Sequence, residues 1–337
     1  MNSILPSKVL VTGAAGFIGS HVVDHCLKQR FNVLATDDLS GGFIENVSSH
    51  ATWVQGDLRD KNFVRLLWDM HGPFDYVYHL GAYAAEGLSH FIRAYNYETN
   101  LVASMHLINE AIKSKKCQCF VFASSIAVYG MGQLPMTETM IPQPEDPYGI
   151  SKYAVELDLK AAHEMFGLNS IVFRPHNVYG ERQNIADRYR NVIGIFMNQI
   201  LKGDPLTVFG DGLQTRAFSH VDDVAPVIAS SVTNPKAYNE TFNIGADTPY
   251  TILQLVDEIS SAFRLPARVV HLPARNEVVH AFSDHSKIQA VFKPPNPMAL
   301  QDGIKRMADW VKSRGTATPV KFANIEIREK LPSGWEF

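Results

Sequence analysis

The stretch Val11-Thr12-Gly13-Ala14-Ala15-Gly16-Phe17-Ile18-Gly19 decides the fold of this chain. It joins a short apolar run, typical of a buried strand, to residues 17–29, where the spacing of apolar residues predicts a helix. Its three glycines allow a tight turn, close approach of a pyrophosphate to the backbone, and close packing of the helix on the strand. The N–H groups and positive dipole end of the helix would favour the phosphates. The stretch therefore predicts a dinucleotide site, with Phe17 and Ile18 among its contacts.

Apolar runs alternate with amphipathic stretches through the first half of the chain. The runs predict strands near residues 9–11, 33–35, 53–54, 76–78, 120–122 and 171–173, and helical spacing covers residues 17–29, 61–69, 91–115 and 148–167. This alternation predicts an α/β fold of Rossmann type, a doubly wound parallel sheet with helices on both faces. Further helices are predicted at residues 188–201 and 252–264. We predict a cofactor domain at 1–174 (later returns of the chain allowed), a smaller mixed substrate lobe at 175–313 and a tail at 314–337.

Composition excludes several classes of protein. The net charge of −3 provides no broad basic field for nucleic acid or an anionic membrane. Three cysteines fit a reducing compartment better than a disulfide framework, and Cys117-Gln-Cys119 has no second cluster that would complete a metal site. The chain has no apolar run near the ~20 residues of a membrane helix and no signal peptide pattern. We expect a cytoplasmic protein that binds no metal.

Acidic residues after the second and third strands point to the kind of dinucleotide. Asp37 lies about 20 residues beyond the glycine turn, where a carboxylate can accept hydrogen bonds from the adenosine ribose. It would repel a 2′-phosphate, and residues 36–39 contain no Arg or Lys, so the sequence favours NAD over NADP. Asp57 and Leu58 are predicted to lie beside the adenine, although Gly56-Asp57 also fits a simple turn.

Catalytic chemistry is indicated by two segments. Tyr148 and Lys152 are spaced i,i+4 on a predicted helix, so they share one face. An ammonium group near a phenol favours phenolate, which could act as a general base, and Lys152 could also hold the nicotinamide ribose. Ser125, at the end of a predicted strand, could hydrogen bond to the reacting hydroxyl. A Tyr–Lys pair alone is more often a surface pair, but the upstream serine and the glycine turn favour a catalytic one.

These motifs together resemble the extended short-chain dehydrogenase/reductase family, and within it the UDP-glucose 4-epimerase-like enzymes, over roughly residues 8–311. The family's glycine turn matches residues 12–19, and its Tyr-x-x-x-Lys pair matches Tyr148 and Lys152. The resemblance places the catalytic Ser/Thr on Ser125 and a cofactor-contacting asparagine on Asn100. It implies NAD as cofactor and a nucleotide-diphosphate sugar, of UDP type, as substrate.

The resemblance also assigns the substrate end. Arg174-Pro175-His176-Asn177-Val178-Tyr179-Gly180 is similar to the family segment that faces nicotinamide and sugar diphosphate, with Asn177 as the ligand contact and His176 better explained as structural. Arg216 would clamp the diphosphate through charge-assisted hydrogen bonds, and Arg275 is a second candidate. The acidic residues that often accompany these arginines are replaced by Ala217 and Val278.

Several reactions share the family's first step, oxidation at C4 of the sugar. Related dehydratases and decarboxylases tend to carry acidic residues where this chain has Ile126 and Ala127, which cannot move a proton. We therefore predict C4 epimerisation through a 4-keto sugar. The alternatives are a decarboxylase or dehydratase, a nucleotide-sugar reductase, a non-catalytic NAD sensor, or a structural partner protein. Glu86 would be unusual near the sugar, and the small Ala281 would leave room for an N-acetyl group.

Long helices predicted at residues 91–115 and 148–167 correspond to the family's subunit interface, so the resemblance implies a homodimer. The alternative is that both helices only pack on the sheet. The tail from Thr316 onward has no clear period, and the sequence leaves open whether it docks or stays mobile.

Overall fold

The protein, analysed as a computed structural model, is described over residues 6–132, 134–274, 278–318, 322–332 and 335. Its strands are β1 (Lys8–Thr12), β2 (Asn32–Asp37), β3 (Thr52–Gln55), β4 (Tyr76–His79), β5 (Cys119–Ala123), β6 (Ser170–Pro175), β7 (Val178–Tyr179), β8 (Leu206–Phe209), β9 (Thr215–Ala217), β10 (Ser219–His220), β11 (Glu240–Ile244), β12 (Pro249–Thr251), β13 (Val269–Leu272) and β14 (His280–Ala281).

The helices, in chain order, are α1 (Phe17–Lys28), α2 (Lys61–His71), α3 (Glu86–Ser89), α4 (Arg93–Tyr97), α5 (Ala103–Ser114), α6 (Pro147–Phe166), α7 (Val192–Lys202), α8 (Val221–Ser230), α9 (Ile252–Phe263), α10 (Ser286–Phe292) and α11 (Leu300–Arg314). A π turn at Glu98–Val102 connects α4 to α5, so the helix predicted at 91–115 is interrupted. None of the helices described is both long enough and apolar enough to span a membrane.

A seven-stranded sheet in the order β11-β6-β5-β4-β1-β2-β3 forms the centre of the molecule, and all its strands are parallel. The six predicted strands all lie in it. Their apolar residues are buried because helices cover both faces: α1 and α8 pack on one face, and α2, α5 and α6 on the other. The predicted Rossmann-type fold is confirmed.

Local sequence explains where α6, the helix that carries Tyr148 and Lys152, begins and ends. The Asp146 carboxylate caps it by accepting a hydrogen bond from the Gly149 N–H at 2.9 Å, and Pro147 occupies its first turn. Gly167 ends the helix in the left-handed conformation, with φ of 72°. These signals fix the register of the helix against the end of β5.

The second lobe has its own core, formed mainly by α7, α9 and α11. The prediction of a helix over 188–201 is wrong at its start: α7 begins at Val192 because Asn191 is left-handed, with φ of 63°. The chain also crosses between lobes, since α8 and β11 lie beyond residue 174 yet belong to the sheet layer. Residue 174 is therefore no boundary of the sheet.

Candidate active site

A cavity of about 800 Å³ lies outside the carboxyl ends of the parallel strands. It includes the point between β1 and β4 where the strand order reverses, the usual ligand site of open α/β sheets. Segments of the second lobe form its other wall. The sequence-predicted residues that line it are Gly13, Gly16, Phe17, Ile18, Gly19, Asp37, Asp57, Leu58, Ser125, Tyr148, Lys152, Asn177 and Arg216.

The glycine turn brings the backbone of β1 against the loop after β4. Gly13 has a φ of +66°, and a β-carbon there would lie 2.6 Å from the Gly81 nitrogen. A β-carbon on Gly19 would lie 2.0 Å from the Gly13 carbonyl oxygen, so that glycine permits the close helix-to-strand contact. The N-terminus of α1 consequently opens directly into the cavity, as a phosphate site requires.

Asp37 lies at the end of β2, beside the glycine turn. Its carboxylate accepts hydrogen bonds from the Ala15 N–H at 3.1 Å and the Leu39 N–H at 2.8 Å. Burial raises the pKa of Asp37, and the two backbone donors oppose that rise. The side chain borders the cavity, where its remaining lone pairs can accept from ribose hydroxyls.

Asp57 and Leu58 form the wall of the cavity beyond β3. Asp57 is paired with Arg59 at 2.7 Å, and the hydrogen bonds from Arg59 lower the pKa of Asp57. The Leu58 carbonyl accepts from His106, which fixes the turn. Both residues border the cavity, but the Asp57 carboxylate is already occupied by a cation.

Asn100 lies behind the cavity wall rather than on it. Its side chain bonds to the N–H and carbonyl of Tyr83, at 2.8 and 3.1 Å, and donates to the Asn96 side chain at 2.8 Å. These bonds fix the loop after β4 that forms part of the wall. The side-chain amide is engaged in these bonds, and direct contact of Asn100 with the cofactor stays a prediction.

Ser125, Tyr148 and Lys152 converge where β5 meets α6. Tyr148 is only 7% exposed, and the Ser125 side chain favours its phenolate form, which lowers the pKa of Tyr148 against the rise from burial. The Lys152 ammonium donates to the Ala123 carbonyl at 2.8 Å and lies 5.8 Å from the centre of the Tyr148 ring. The structure thus assembles the predicted catalytic group inside the cavity.

Electrostatics at this group differ from the expectation that Lys152 would favour phenolate. Burial raises the pKa of Tyr148 well above its ordinary value, and the charges of Glu86 and Asp146 add to that rise. Burial also lowers the pKa of Lys152 to about 7, which weakens the cation. Burial thus has the largest effect on both pKa values in the protein without cofactor, and the phenolate expected with the charge of the NAD⁺ ring stays a prediction.

A buried ionic network, which the sequence reasoning missed, lies next to Ser125 at the end of β5. Glu156 accepts a hydrogen bond from Ser124 at 2.5 Å and a two-point ion pair from Arg174, at 2.5 and 3.0 Å. Arg174 also donates to the Tyr129 hydroxyl at 2.7 Å. The position of Glu156, four residues after Lys152, was the available signal, since it lies on the same helical face.

His176 borders the cavity, but neither of its ring nitrogens is available to a ligand. Nδ1 bonds to the Ala217 carbonyl at 3.2 Å, and Nε2 lies 3.1 Å from Nε2 of His285. Burial lowers the pKa of His176 to about 3. Asn177 donates to the same Ala217 carbonyl at 3.1 Å. This arrangement suits the structural role expected for His176.

Arg216 reaches the cavity from β9 on the second lobe. Its guanidinium donates to the carbonyl oxygens of Thr215, Val278 and Val279 at 2.7 to 3.0 Å. These bonds set its position at the edge of the cavity. Arg275 lies outside the described residues. The diphosphate clamp therefore stays a prediction for both arginines.

The C-terminal segment docks against the cavity wall. Glu326 accepts hydrogen bonds from the Ala94 and Tyr95 N–H groups, at 2.8 and 2.9 Å, at the start of α4. Trp335 borders the cavity and packs edge-on against Tyr189, with ring centres 5.1 Å apart. Sequence periodicity had given no signal for this docking, because the contacts are long-range.

Comparison with known proteins agrees with this geometry. Residues 9–245 match the model of the NAD dependent epimerase/dehydratase family. The chain belongs to that family. A putative UDP-glucose 4-epimerase of Methanocaldococcus jannaschii is 33% identical, over 90% of this chain and 98% of its own. The structure of a UDP-glucose 4-epimerase from Thermotoga maritima with UDP-glucose superposes with a TM-score of 0.85 at 32% identity, over 91% of this chain and 99% of its own.

The family's reactions are not uniform. A UDP-N-acetyl-alpha-D-glucosaminuronate decarboxylase of Bacillus cytotoxicus is 27% identical, over 91% of this chain and 98% of its own. Family membership accordingly identifies an epimerase/dehydratase-type enzyme that uses NAD. The residues present fit that cofactor. The turn at Gly13 has no space for a side chain, so its backbone faces the cavity directly, and Asp37 borders the cavity beside it.

Proposed function

We propose that this protein is an NAD-dependent 4-epimerase of a nucleotide-diphosphate sugar, of the UDP-glucose/UDP-galactose type. The observation that carries the proposal is the Ser125–Tyr148–Lys152 group inside the cavity, followed by Ile126 and Ala127 on the same wall. Neither of these two side chains can transfer a proton, so this stretch offers no second acid or base. Reversible oxidation and reduction at one carbon is the chemistry that remains.

In the proposed reaction, Tyr148 removes the proton of the sugar 4-hydroxyl as hydride leaves C4. After the 4-keto sugar has turned in the cavity, hydride returns to the opposite face of C4 and Tyr148 returns the proton to the C4 oxygen. Ser125, which borders the same cavity, orients that hydroxyl. Lys152, fixed by the Ala123 carbonyl, holds the nicotinamide ribose. Bound NAD supplies the hydride exchange at C4 and, when oxidised, a positive ring that favours the Tyr148 phenolate.

The proposed substrate contacts are Asn177, Arg216 and Arg275. Arginine suits a diphosphate because its planar donors can bind two oxygens at once. The relatives' UDP-sugar ligands support a UDP-linked substrate for this chain too. Ala281 is a small residue on the cavity wall, which leaves space for an N-acetyl group on the sugar.

A homodimer through the segments 91–115 and 148–167 completes the proposal. Four apolar side chains of α6, Ile150, Leu157, Met165 and Phe166, are 41%, 51%, 74% and 64% exposed. Exposed apolar residues along one long helix are typical of a subunit interface. Val102, in the π turn beside α6, is also 42% exposed.

The test is to incubate the protein, without added cofactor, with UDP-galactose, UDP-N-acetylgalactosamine or UDP-galacturonic acid and to follow products by proton NMR. We expect a C4-inverted product that disappears in Tyr148→Phe. Tyr153→Phe is the matched control, since Tyr153 lies on the same helix but does not border the cavity. No turnover with NAD still bound would contradict the proposal and favour an NAD sensor.

A dehydratase or decarboxylase is the second candidate, because the Glu86 side chain borders the cavity and its charge reaches Tyr148. A carboxylate there could act as a further acid or base. A sugar product that has lost water or carbon dioxide, seen in the same NMR experiment and absent with Glu86→Gln, would select this candidate. Bound NADP in the purified protein would instead indicate a reductase.

A further inference from the structure

The loop between β7 and α7, residues 180–191, crosses the cofactor end of the cavity. Arg182 pairs with Asp24 of α1 at 2.7 Å, and the Asn184 amide donates to the Gly41 carbonyl at 3.3 Å. The Glu181 carbonyl accepts from the His21 ring at 3.0 Å. These contacts attach a segment of the second lobe to α1 and to the loop after β2.

Arg190 is one of the residues of this loop that line the cavity. A β-carbon built on Gly41 would lie 2.9 Å from Arg190 Nη2, so this guanidinium is next to the loop after β2. Its central carbon also lies 4.9 Å from the centre of the Tyr83 ring, after β4. Asp187 holds Nε at 2.5 Å and thereby fixes the plane of the guanidinium.

These contacts place Arg190 between the two ends of the dinucleotide. Asp37 and Tyr148 are the proposed contacts of the adenosine ribose and of the nicotinamide, and Arg190 borders the same cavity. The pyrophosphate lies between these ends, with the glycine turn on one side. Arg188 of the same loop also borders the cavity, whereas Arg59 pairs with Asp57 and Lys152 donates to the Ala123 carbonyl.

We propose that Arg190 binds the pyrophosphate of NAD from the side opposite the glycine turn. The loop 180–191 then acts as a clamp that retains the cofactor between turnovers. A planar guanidinium can donate to two phosphate oxygens, and its fixation by Asp187 reduces the entropy lost on binding. The inference uses the family's cofactor and is independent of which sugar is the substrate.

A nucleotide sugar also carries a diphosphate, so the experiment separates the two ligands. Arg190→Gln is purified with its bound NAD, and NAD release is timed after dilution into labelled NAD; UDP affinity is measured by calorimetry. We expect about 10- to 100-fold faster NAD release, the range for a lost charge-assisted hydrogen bond, and less than a threefold change in UDP affinity.

Arg190→Lys keeps the charge but not the planar fork, so its rate of NAD release should fall between those of the wild type and Arg190→Gln. Arg65→Gln, exposed on α2, is the charge control.

The opposite pattern, unchanged NAD release with weakened UDP binding, would overturn the inference and assign Arg190 to the substrate diphosphate. No change in either ligand would overturn it as well. If Arg190→Gln does not fold, the lysine variant carries the same comparison. Because no turnover is measured, failure of the epimerase proposal leaves this result interpretable.

Discussion

Replacing Lys152 by methionine should abolish turnover and yet stabilise the cofactor-free protein at neutral pH. The side chain is only 2% exposed, and burial lowers its pKa from an ordinary 10.5 to about 7. Between these two values the unfolded chain binds a proton that the folded chain does not. The stability of the wild type therefore rises with pH across this window, and the penalty is largest at and below pH 7.

The magnitude follows from those two values. Each pKa unit is equivalent to about 1.4 kcal/mol, so the penalty for charging Lys152 is roughly 4 kcal/mol at pH 7 and about 2 kcal/mol at pH 9. The variant also leaves the Ala123 carbonyl without its donor, at a cost of about 2 kcal/mol. We thus expect Lys152→Met to be more stable by about 2 kcal/mol at pH 7 and about equal to wild type at pH 9.

Urea unfolding of NAD-free protein, at pH 6, 7, 8 and 9, measures this difference directly. Lys160→Met, an exposed position on the same helix, is the matched control and should change stability by only a few tenths of a kcal/mol. A stability difference that stays constant from pH 7 to 9 would refute the reasoning, because only an ionisation that differs between the two states varies with pH. Loss of stability at every pH would also refute it.

Three further predictions follow from packing. Arg174→Leu leaves the Glu156 carboxylate buried without its cation, so urea unfolding should show a loss of about 3–5 kcal/mol; a loss below 1 kcal/mol would contradict the network's role. Leu157→Glu places a charge on the proposed subunit interface, so light scattering should report a dimer for the wild type and a monomer for the variant; equal masses for the two proteins would contradict the proposed interface. Glu326→Ala removes two hydrogen bonds to the start of α4, so limited proteolysis should cut the C-terminal segment faster; unchanged cleavage would contradict its docking.

The parts of the fold that sequence could predict are those fixed by local signals. The glycine turn, the buried strands and the helix that begins at Pro147 all follow from turn chemistry, periodicity and capping. Ser125, Tyr148 and Lys152 could be assigned together because the sheet brings successive strand ends to one edge. Their convergence in the cavity follows from that topology.

Other features depend on contacts between residues far apart in the chain. Arg190 lines the cavity on a loop that the pairing of Arg182 with Asp24 attaches to α1. The strand β11 joins β6 across a separation that no periodicity reports. The protonation states at the site could not be predicted from the sequence either. The i,i+4 spacing predicts that Tyr148 and Lys152 are close, but it does not predict how deeply they are buried. Burial raises the pKa of Tyr148 and lowers that of Lys152.

The interleaving of the two lobes has a consequence for how the protein is made. While the ribosome has released only residues up to 174, β6 lacks the strand that pairs with its outer edge. The helix α8, which packs beside α1, is also still missing. The sheet can be completed only after Ile244 has emerged, because β11 is the strand that pairs with β6. The nascent first lobe therefore exposes apolar surface through synthesis of about 70 more residues, the period in which chaperones would bind it. For the same reason, expressing residues 1–174 alone should yield an aggregating fragment rather than an isolated cofactor domain.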